Sequence, residues 1–304
     1  MTQLSHIRIG TRKSQLALAQ AELVRAQLAT AFPGLAVAIV PLITSGDKNA
    51  DRTLADIGGK ALFTKELEEA LLSDKVDIAV HSLKDMESVL PEGLAIAAVL
   101  EREDPHDALI AKDASSLAGL AIGARIGTSS PRRAAQLKIM RPDIQIVPMR
   151  GNVPTRIAKV RKGEVDATLL ALAGLRRIGL QKEACEIMDT RHFLPAAGQG
   201  TIAIECVSGS KSEVMLQPLN HAVTMHATIA ERSLLATLGG SCRTPIAAYA
   251  RMQGTSLRLD TMLFTPDGAF HVKAMRIGAP EDAQKMGEDA AKELLAQGGK
   301  RCLA

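Results

Sequence analysis

The residue best suited to covalent chemistry is Cys242, in the run Gly239-Gly240-Ser241-Cys242-Arg243-Thr244-Pro245. Two glycines and a serine before it leave the backbone free to turn. Arg243 follows, and a nearby cation favours the thiolate, the nucleophilic form. Pro245 stiffens the exit. The run reads as a thiol presented on a loop; the bland alternative is an inert loop cysteine. Anion chemistry is the second signal. Ser130 in Gly127-Thr128-Ser129-Ser130-Pro131-Arg132-Arg133 suits a helix N-cap, with Pro131 at the first helical position. Such an end offers free N–H groups and a partial positive charge. Thr128 and Ser130 add hydroxyls, and Arg132 and Arg133 add planar forks that match carboxylate or phosphate. Lys84-Asp85 is the third signal, a lone carboxylate opposite this basic field, able to stabilise a developing cation or to hold an N–H donor. His81 reads as a structural strand-end histidine, with ligand or base as the alternative. His221 and His226, five apart, share no helical face.

These groups fall where a β-α rhythm would present them. A strand over 7–9 leads into Arg12 and Ser14, and Ser14 suits the cap of a helix running to about 29. Strands follow over 37–42, 77–80 and 94–99, with a helix over 62–72. The polar stretch 44–60 reads as a mobile lid or a disordered insertion. After Glu101-Arg102-Glu103-Asp104-Pro105 the pattern restarts. Strands over 124–126, 144–147 and 167–172 lead respectively into Arg132 and Arg133, into Arg150 and Arg156, and into Arg177. This alternation predicts parallel sheets wrapped by helices, with ligands beyond the carboxyl ends of the strands. Two such α/β domains facing each other would gather Arg12, Lys84 and the later arginines into one cleft. A Pro- and Gly-punctuated stretch, 192–206, ending in a strand over 201–205, reads as a return or hinge. A helix over 222–238, the Cys242 loop, a hairpin over 257–274 and a last helix opened by Pro280 form a small α+β third domain.

Totals narrow the function classes. At 304 residues the chain suits two domains or three small ones. No apolar run is long enough for a membrane span, and the first residues carry no secretory pattern. Cys185, Cys206, Cys242 and Cys302 form neither a disulfide framework nor a zinc pattern, which points to reduced thiols, a cytoplasmic setting and no structural metal. Net charge is +4, yet residues 123–180 hold nine Arg and three Lys against one Glu and two Asp. Such a field describes partners. With no Trp, one Tyr and five Phe, stacking platforms for single-stranded nucleic acid are few.

The chain resembles the hydroxymethylbilane synthase (porphobilinogen deaminase) family of tetrapyrrole biosynthesis. The resemblance rests on Gly10-Thr11-Arg12-Lys13-Ser14, Gly58-Gly59-Lys60-Ala61-Leu62-Phe63-Thr64-Lys65-Glu66-Leu67, His81-Ser82-Leu83-Lys84-Asp85 and Arg102-Glu103-Asp104-Pro105. It continues through Gly127-Thr128-Ser129-Ser130, Arg150-Gly151-Asn152, Leu194-Pro195-Ala196-Ala197-Gly198-Gln199-Gly200 and the Cys242 loop, in order over essentially the whole chain.

The resemblance implies an enzyme that joins four porphobilinogen molecules head to tail, releasing ammonia at each step, and then frees the linear tetrapyrrole. Growth occurs on a dipyrromethane cofactor held by a thioether to Cys242. It implies Asp85 as the catalytic carboxylate, and Arg12, Ser14, Lys84, Thr128, Ser130, Arg132, Arg133, Arg150, Arg156 and Arg177 as ligands of the acetate and propionate side chains. The implied fold is α/β: two periplasmic-binding-protein-like α/β domains around a cleft, 1–101 with 198–217 and 102–197, plus an α+β domain over 218–304 carrying the cysteine loop. The resemblance also suggests a monomer, which joins the cytoplasmic setting and the absence of nucleic-acid and membrane partners expected from the composition. The chain departs from the family pattern before Cys242 and after Asp85: Glu87 stands where proline is usual, Gly239 where an acidic residue is common, and Ser241 where glycine often occurs. A non-catalytic binding module for a small carboxylated ligand is the competing reading.

Overall fold

The computed structural model describes residues 5–48, 63–240 and 244–303. Its first sheet is built from β1 (His6–Arg12), β2 (Ala36–Leu42), β3 (Ile78–Ser82), β4 (Leu94–Val99) and a late strand, β10 (Ile202–Val207), in the order β2-β1-β3-β10-β4. Ile7 and Ile9 of β1 and Ile78 and Val80 of β3 lie buried beneath helix α1 (Gln15–Ala31). On the other face of the sheet, α3 (Lys65–Leu72) covers Ala79 with Leu67 and Leu71. The stretch read as a lid begins with a helical turn, α2 (Ser45–Lys48); residues 49–60, and the lid reading with them, lie outside the described residues.

The second lobe repeats the plan. Its sheet takes β5 (Asp107–Ala111), β6 (Arg125–Gly127), β7 (Gln145–Val147), β8 (Ala167–Ala171) and β9 (Glu186–Ile187) in the order β7-β6-β8-β5-β9. Helices α4 (Pro131–Met140), α5 (Val153–Arg161) and α6 (Leu172–Arg177) wrap it. Neither sheet is wholly parallel, contrary to the sequence expectation. The first residue of β10, Ile202, pairs antiparallel with the last of β3, Ser82; the first of β5, Asp107, pairs antiparallel with the last of β8, Ala171. The reason is geometric. A chain that crosses from one lobe to the other arrives at the carboxyl edge of the new sheet and can only run back down. Both crossings therefore deliver their residues to the edge where ligands bind.

After α7 (Lys211–Met215) the third lobe packs α8 (Ala222–Leu238) and α9 (Ala283–Ala296) on an antiparallel sheet. This sheet has three strands, β11 (Ile246–Gln253), β12 (Ser256–Phe264) and β13 (His271–Gly278), where the sequence suggested a two-stranded hairpin. β11 is alanine-rich and so lacks a strand signature. It is small-sided because both its faces are packed: Ala248 and Ala250 meet the helices, and Ala247 meets Ala135 and Leu194 of the second lobe.

Candidate active site

The carboxyl edges of the two large sheets border a cavity of about 240 Å³. The first lobe contributes Phe63, Lys84 and Asp85, and the second Ser129, Ser130, Arg132, Arg133, Arg150 and Arg156. Gln199 enters from the second crossing, and Gly240 and Thr244 close the side toward the third lobe. A smaller cavity of about 50 Å³ adjoins it, lined among others by Arg12, Ser14, Gln20, His81 and Ser82. Phe63 and Asp85 border both. The Arg12 guanidinium lies over the Phe63 ring, 4.3 Å from its centre, which restrains a long side chain that would otherwise sample many rotamers.

Asp85 ends a short 3-10 turn, Leu83–Asp85, tied to the second crossing because the Leu83 N–H donates to the Thr201 carbonyl at 3.0 Å. Leu83 and Met86 are buried on either side, so the turn holds its shape with Glu87 in the place of proline. A side chain at Gly198 would bring its Cβ to 2.7 Å from Leu83 Cγ. Asp85 itself is exposed to the cleft, and among the described residues it is the one acidic residue that lines either cavity.

The arginines divide into three kinds. Arg132 and Arg133 are buried and do not present free forks, as the helix-start reading assumed. Arg133 donates Nε and Nη2 to Asp107 Oδ1 at 2.9 and 2.6 Å, and Arg132 Nη1 stands 2.8 Å from Asp107 Oδ2. Burial alone would raise the Asp107 carboxyl, but the two guanidiniums override it and hold it well below the usual carboxylate range. Two cations on one carboxylate leave an excess positive charge fixed in the cavity wall. Asp107→Asn strips two buried guanidiniums of their counter-charge and should cost about 3–5 kcal/mol of stability, read as a fall in the denaturant midpoint; a midpoint within experimental scatter of the parent would refute this account of the wall. Arg150 and Arg156 are the second kind. Both line the cavity, and Arg156 is braced by Nε donating to the Gly151 carbonyl at 2.8 Å. Burial and the nearby Arg133 lower Arg156 to about 10, against the pull of Asp85, so it stays charged at neutral pH.

Arg177 is the third kind. It lines neither cavity; its Nη2 donates to the Gly200 carbonyl at 2.5 Å and pins the second crossing. Gly200 has φ +91°, and a Cβ there would fall 2.2 Å from the Glu103 carbonyl oxygen of the first crossing. The two crossings touch at this glycine, and Arg177 stands beside it. Thr128 is also drawn out of the ligand set: it is buried, lines neither cavity, and its Oγ1 accepts from the Ser130 N–H at 3.1 Å. Ser130 and Ser14 do reach the cavities, while their hydroxyl oxygens cap α4 (from Arg133 N–H, 3.4 Å) and α1 (from Ala17 N–H, 3.2 Å).

Lys84 is held by a residue to which sequence reasoning gave no role. Its Nζ donates to Gln199 Oε1 at 3.3 Å, and the Gln199 amide in turn donates to the Pro105 carbonyl at 2.7 Å and to Asp107 Oδ1 at 3.2 Å. Gln199 thus joins Lys84 in one lobe to the Asp107 cluster in the other. The available signal was a single amide between two glycines at a crossing. Burial and Arg133 push Lys84 down to about 8, with Asp85 and Asp107 pulling the other way, so it stays mostly charged at neutral pH; an anion in the cavity would raise it.

Cys242 lies outside the described residues, with Ser241 and Arg243. Its neighbours are placed. α8 ends at Gly239 with φ +63°, a left-handed helix end that favours glycine over the acidic residue common there. A Cβ at Gly240 would sit 2.4 Å from Ile246 Cδ1 and require that side chain to shift, and the Gly240 carbonyl accepts from Ser88 Oγ at 3.3 Å. Gly240 and Thr244, two residues to either side of the cysteine, both line the larger cavity. Among the described residues no cluster of His, Cys, Asp or Glu could hold a metal ion, and no helix is long and apolar enough to cross a membrane.

A family model described as porphobilinogen deaminase, dipyrromethane cofactor binding domain, matches residues 7–215, and one described as porphobilinogen deaminase, C-terminal domain, matches residues 225–296. A porphobilinogen deaminase of Syntrophobacter fumaroxidans is 47% identical over 299 residues, covering 98% of this chain and 96% of that protein. Solved structures similar in outline include a putative methionine-binding lipoprotein of Bacillus subtilis (TM-score 0.44, 16% identity, 75% of this chain and 94% of that one). A periplasmic substrate-binding protein of Coxiella burnetii is another (TM-score 0.45, 16% identity, 73% and 94%).

Proposed function

The chain belongs to the porphobilinogen deaminase family, and on that premise we propose how its residues divide the work. The reaction is the head-to-tail condensation of four porphobilinogen molecules on a covalently bound dipyrromethane, with loss of ammonia at each step and final hydrolysis to the linear tetrapyrrole hydroxymethylbilane. The donor set of the larger cavity fits that cofactor. Each pyrrole carries an acetate and a propionate, and the wall offers Lys84, Arg150 and Arg156 in front of the Asp107-held pair Arg132 and Arg133. Ser130 adds a hydroxyl beside them. The dipyrromethane, when bound, supplies the pyrrole carbon that accepts the first substrate, and Cys242 is the tether, between two residues of the cavity rim.

The observation that carries the division is that Asp85 borders both cavities. We assign the smaller one to the incoming porphobilinogen, whose carboxylates meet Arg12 and Ser14, and the larger one to the cofactor and growing chain. Asp85 then stands at the junction, where the aminomethyl group leaves. Its carboxylate holds pyrrole N–H groups and stabilises the cationic azafulvene produced as ammonia departs. Arg177 and Thr128 act on the frame, one by pinning the crossing and one by bracing the turn before α4. The boundaries 1–101 with 198–217, 102–197 and 218–304 make the two crossings a hinge between the first two domains. The family resemblance supports a monomeric, cytoplasmic enzyme.

Two arginine variants test the division. Arg12→Leu should keep its cofactor, by intact mass, and raise KM for porphobilinogen at least tenfold, as expected when one charge-assisted contact of about 1.5–3 kcal/mol is lost. Arg150→Leu should act on the other cavity and lower the fraction of protein carrying cofactor. The reverse pattern, with Arg12→Leu failing to load and Arg150→Leu raising only KM, would reassign the two cavities.

A further inference from the structure

Behind the smaller cavity lies a cluster of ionisable groups that the roles above leave unused. His81 Nε2 stands 3.0 Å from Glu205 Oε2, with both side chains essentially sealed from solvent. Apart from His81, neither Glu205 oxygen has a hydrogen-bond donor among the described residues. Glu68 of α3 lies in the same cluster, also buried, and burial raises its carboxyl, with Glu205 and Glu87 adding to the rise and Thr64 and His81 opposing it. From α8 the cluster is faced by Arg232, whose charge feels Glu205 and Glu87 while its Nη2 is committed to the Ser88 carbonyl at 3.0 Å.

Burying carboxylates without full hydrogen bonding costs several kcal/mol per ion. A cluster of this kind in mid-core would be a liability. Here it sits at the carboxyl end of β3, four residues before Asp85, and His81 and Asp85 both border the smaller cavity. Buried groups that share protons next to a reaction site are candidates for proton handling.

We propose that the His81–Glu205 pair, backed by Glu68, is the proton acceptor behind Asp85; the proposal rests on the assignment of the smaller cavity to the incoming substrate. In each condensation the C–N bond of porphobilinogen breaks, its electron pair going to the nitrogen that leaves as ammonia. A C–C bond forms between the substrate methylene and the free α-carbon of the acceptor pyrrole. The C–H bond at that α-carbon then breaks, its electron pair restoring the aromatic ring. Its proton passes to the Asp85 carboxylate and on to the His81 side chain, held by Glu205; released ammonia collects the proton before the next cycle. His81 is thus a positioning residue that resets Asp85 between additions.

The test uses His81→Gln and Glu205→Gln, each purified with cofactor and checked by intact mass, with porphobilinogen and with porphobilinogen deuterated at its free α-position. We expect kcat to fall about 10²-fold in His81→Gln, with KM near the parent value. A primary isotope effect on kcat should emerge or grow in both variants, because the step left without its acceptor becomes limiting. A role confined to packing lowers kcat and leaves the isotope effect unchanged, and that result in a loaded variant would overturn the proposal. Should His81→Gln fail to load, Glu205→Gln decides alone. If the cavity assignment itself is wrong, Arg12→Leu will leave KM unmoved, an outcome independent of the isotope measurement.

Discussion

Asp85→Asn should keep its covalent cofactor and lose at least 10³-fold in kcat, about 4 kcal/mol of transition-state stabilisation. The size of the effect follows from what surrounds the residue. Among the described residues every other charged side chain lining the larger cavity is a cation: Lys84, Arg132, Arg133, Arg150 and Arg156. That wall suits carboxylates in the ground state and opposes the positive charge that develops when ammonia leaves. One carboxylate at the junction of the cavities has to offset it, and Asn preserves its shape while removing its charge. The retained cofactor separates this result from misfolding, because the tether and the anion wall are untouched. Intact mass should match the parent with cofactor to within the substitution, while KM changes little. Turnover within tenfold of the parent would remove Asp85 from the role assigned to it.

The chemistry was legible in the sequence wherever a residue acts from the end of a strand. Arg12 ends its strand, Lys84, Asp85 and Arg150 follow theirs within three residues and Arg156 sits in the first turn of the next helix, and alternation of strand and helix is enough to place them at one edge. What stayed hidden depends on pairs distant in the chain. Asp107 gives no local sign that it will neutralise part of the Arg132-Arg133 fork, since the partners meet only when β5 runs back down beside β8. Gln199 gains its meaning from Lys84, 115 positions away. The Arg177 side chain was counted with the pocket because its position after β8 matches the others, yet it donates to the Gly200 carbonyl where the two crossings meet. The strand over 201–205 was legible but the antiparallel direction of β10 was not, and β5 was missed altogether: an apolar run carries no direction, and direction here is imposed by the crossing that precedes it. Gly239 illustrates the opposite case, a departure from the family pattern that the left-handed end of α8 explains once its φ is known.

Cys242→Ser should carry no covalent pyrrole adduct and show no turnover. The parent denatured protein should exceed its sequence mass by two porphobilinogen-derived pyrrole units, and the variant should not. A serine hydroxyl is not ionised at neutral pH, whereas an ordinary thiol is already a few per cent thiolate there, so the electrophile that builds the cofactor finds no nucleophile of equal strength. The other cysteines cannot take its place. Cys206 and Cys302 are buried, and burial pushes the Cys206 thiol up to about 11; Cys185 is raised by burial too and donates Sγ–H to the Leu109 carbonyl at 3.2 Å. The consequence reaches beyond activity. Without the cofactor the cationic wall faces itself across about 240 Å³, and the protein loses the stabilisation that a tightly held anion gives the folded state. Cys242→Ser should therefore unfold at lower denaturant than the loaded parent and match a parent preparation made without cofactor. Equal stability of loaded parent and variant would mean that the cations are balanced without the cofactor, and an adduct on the variant mapped to Cys185 would move the tether to the second lobe.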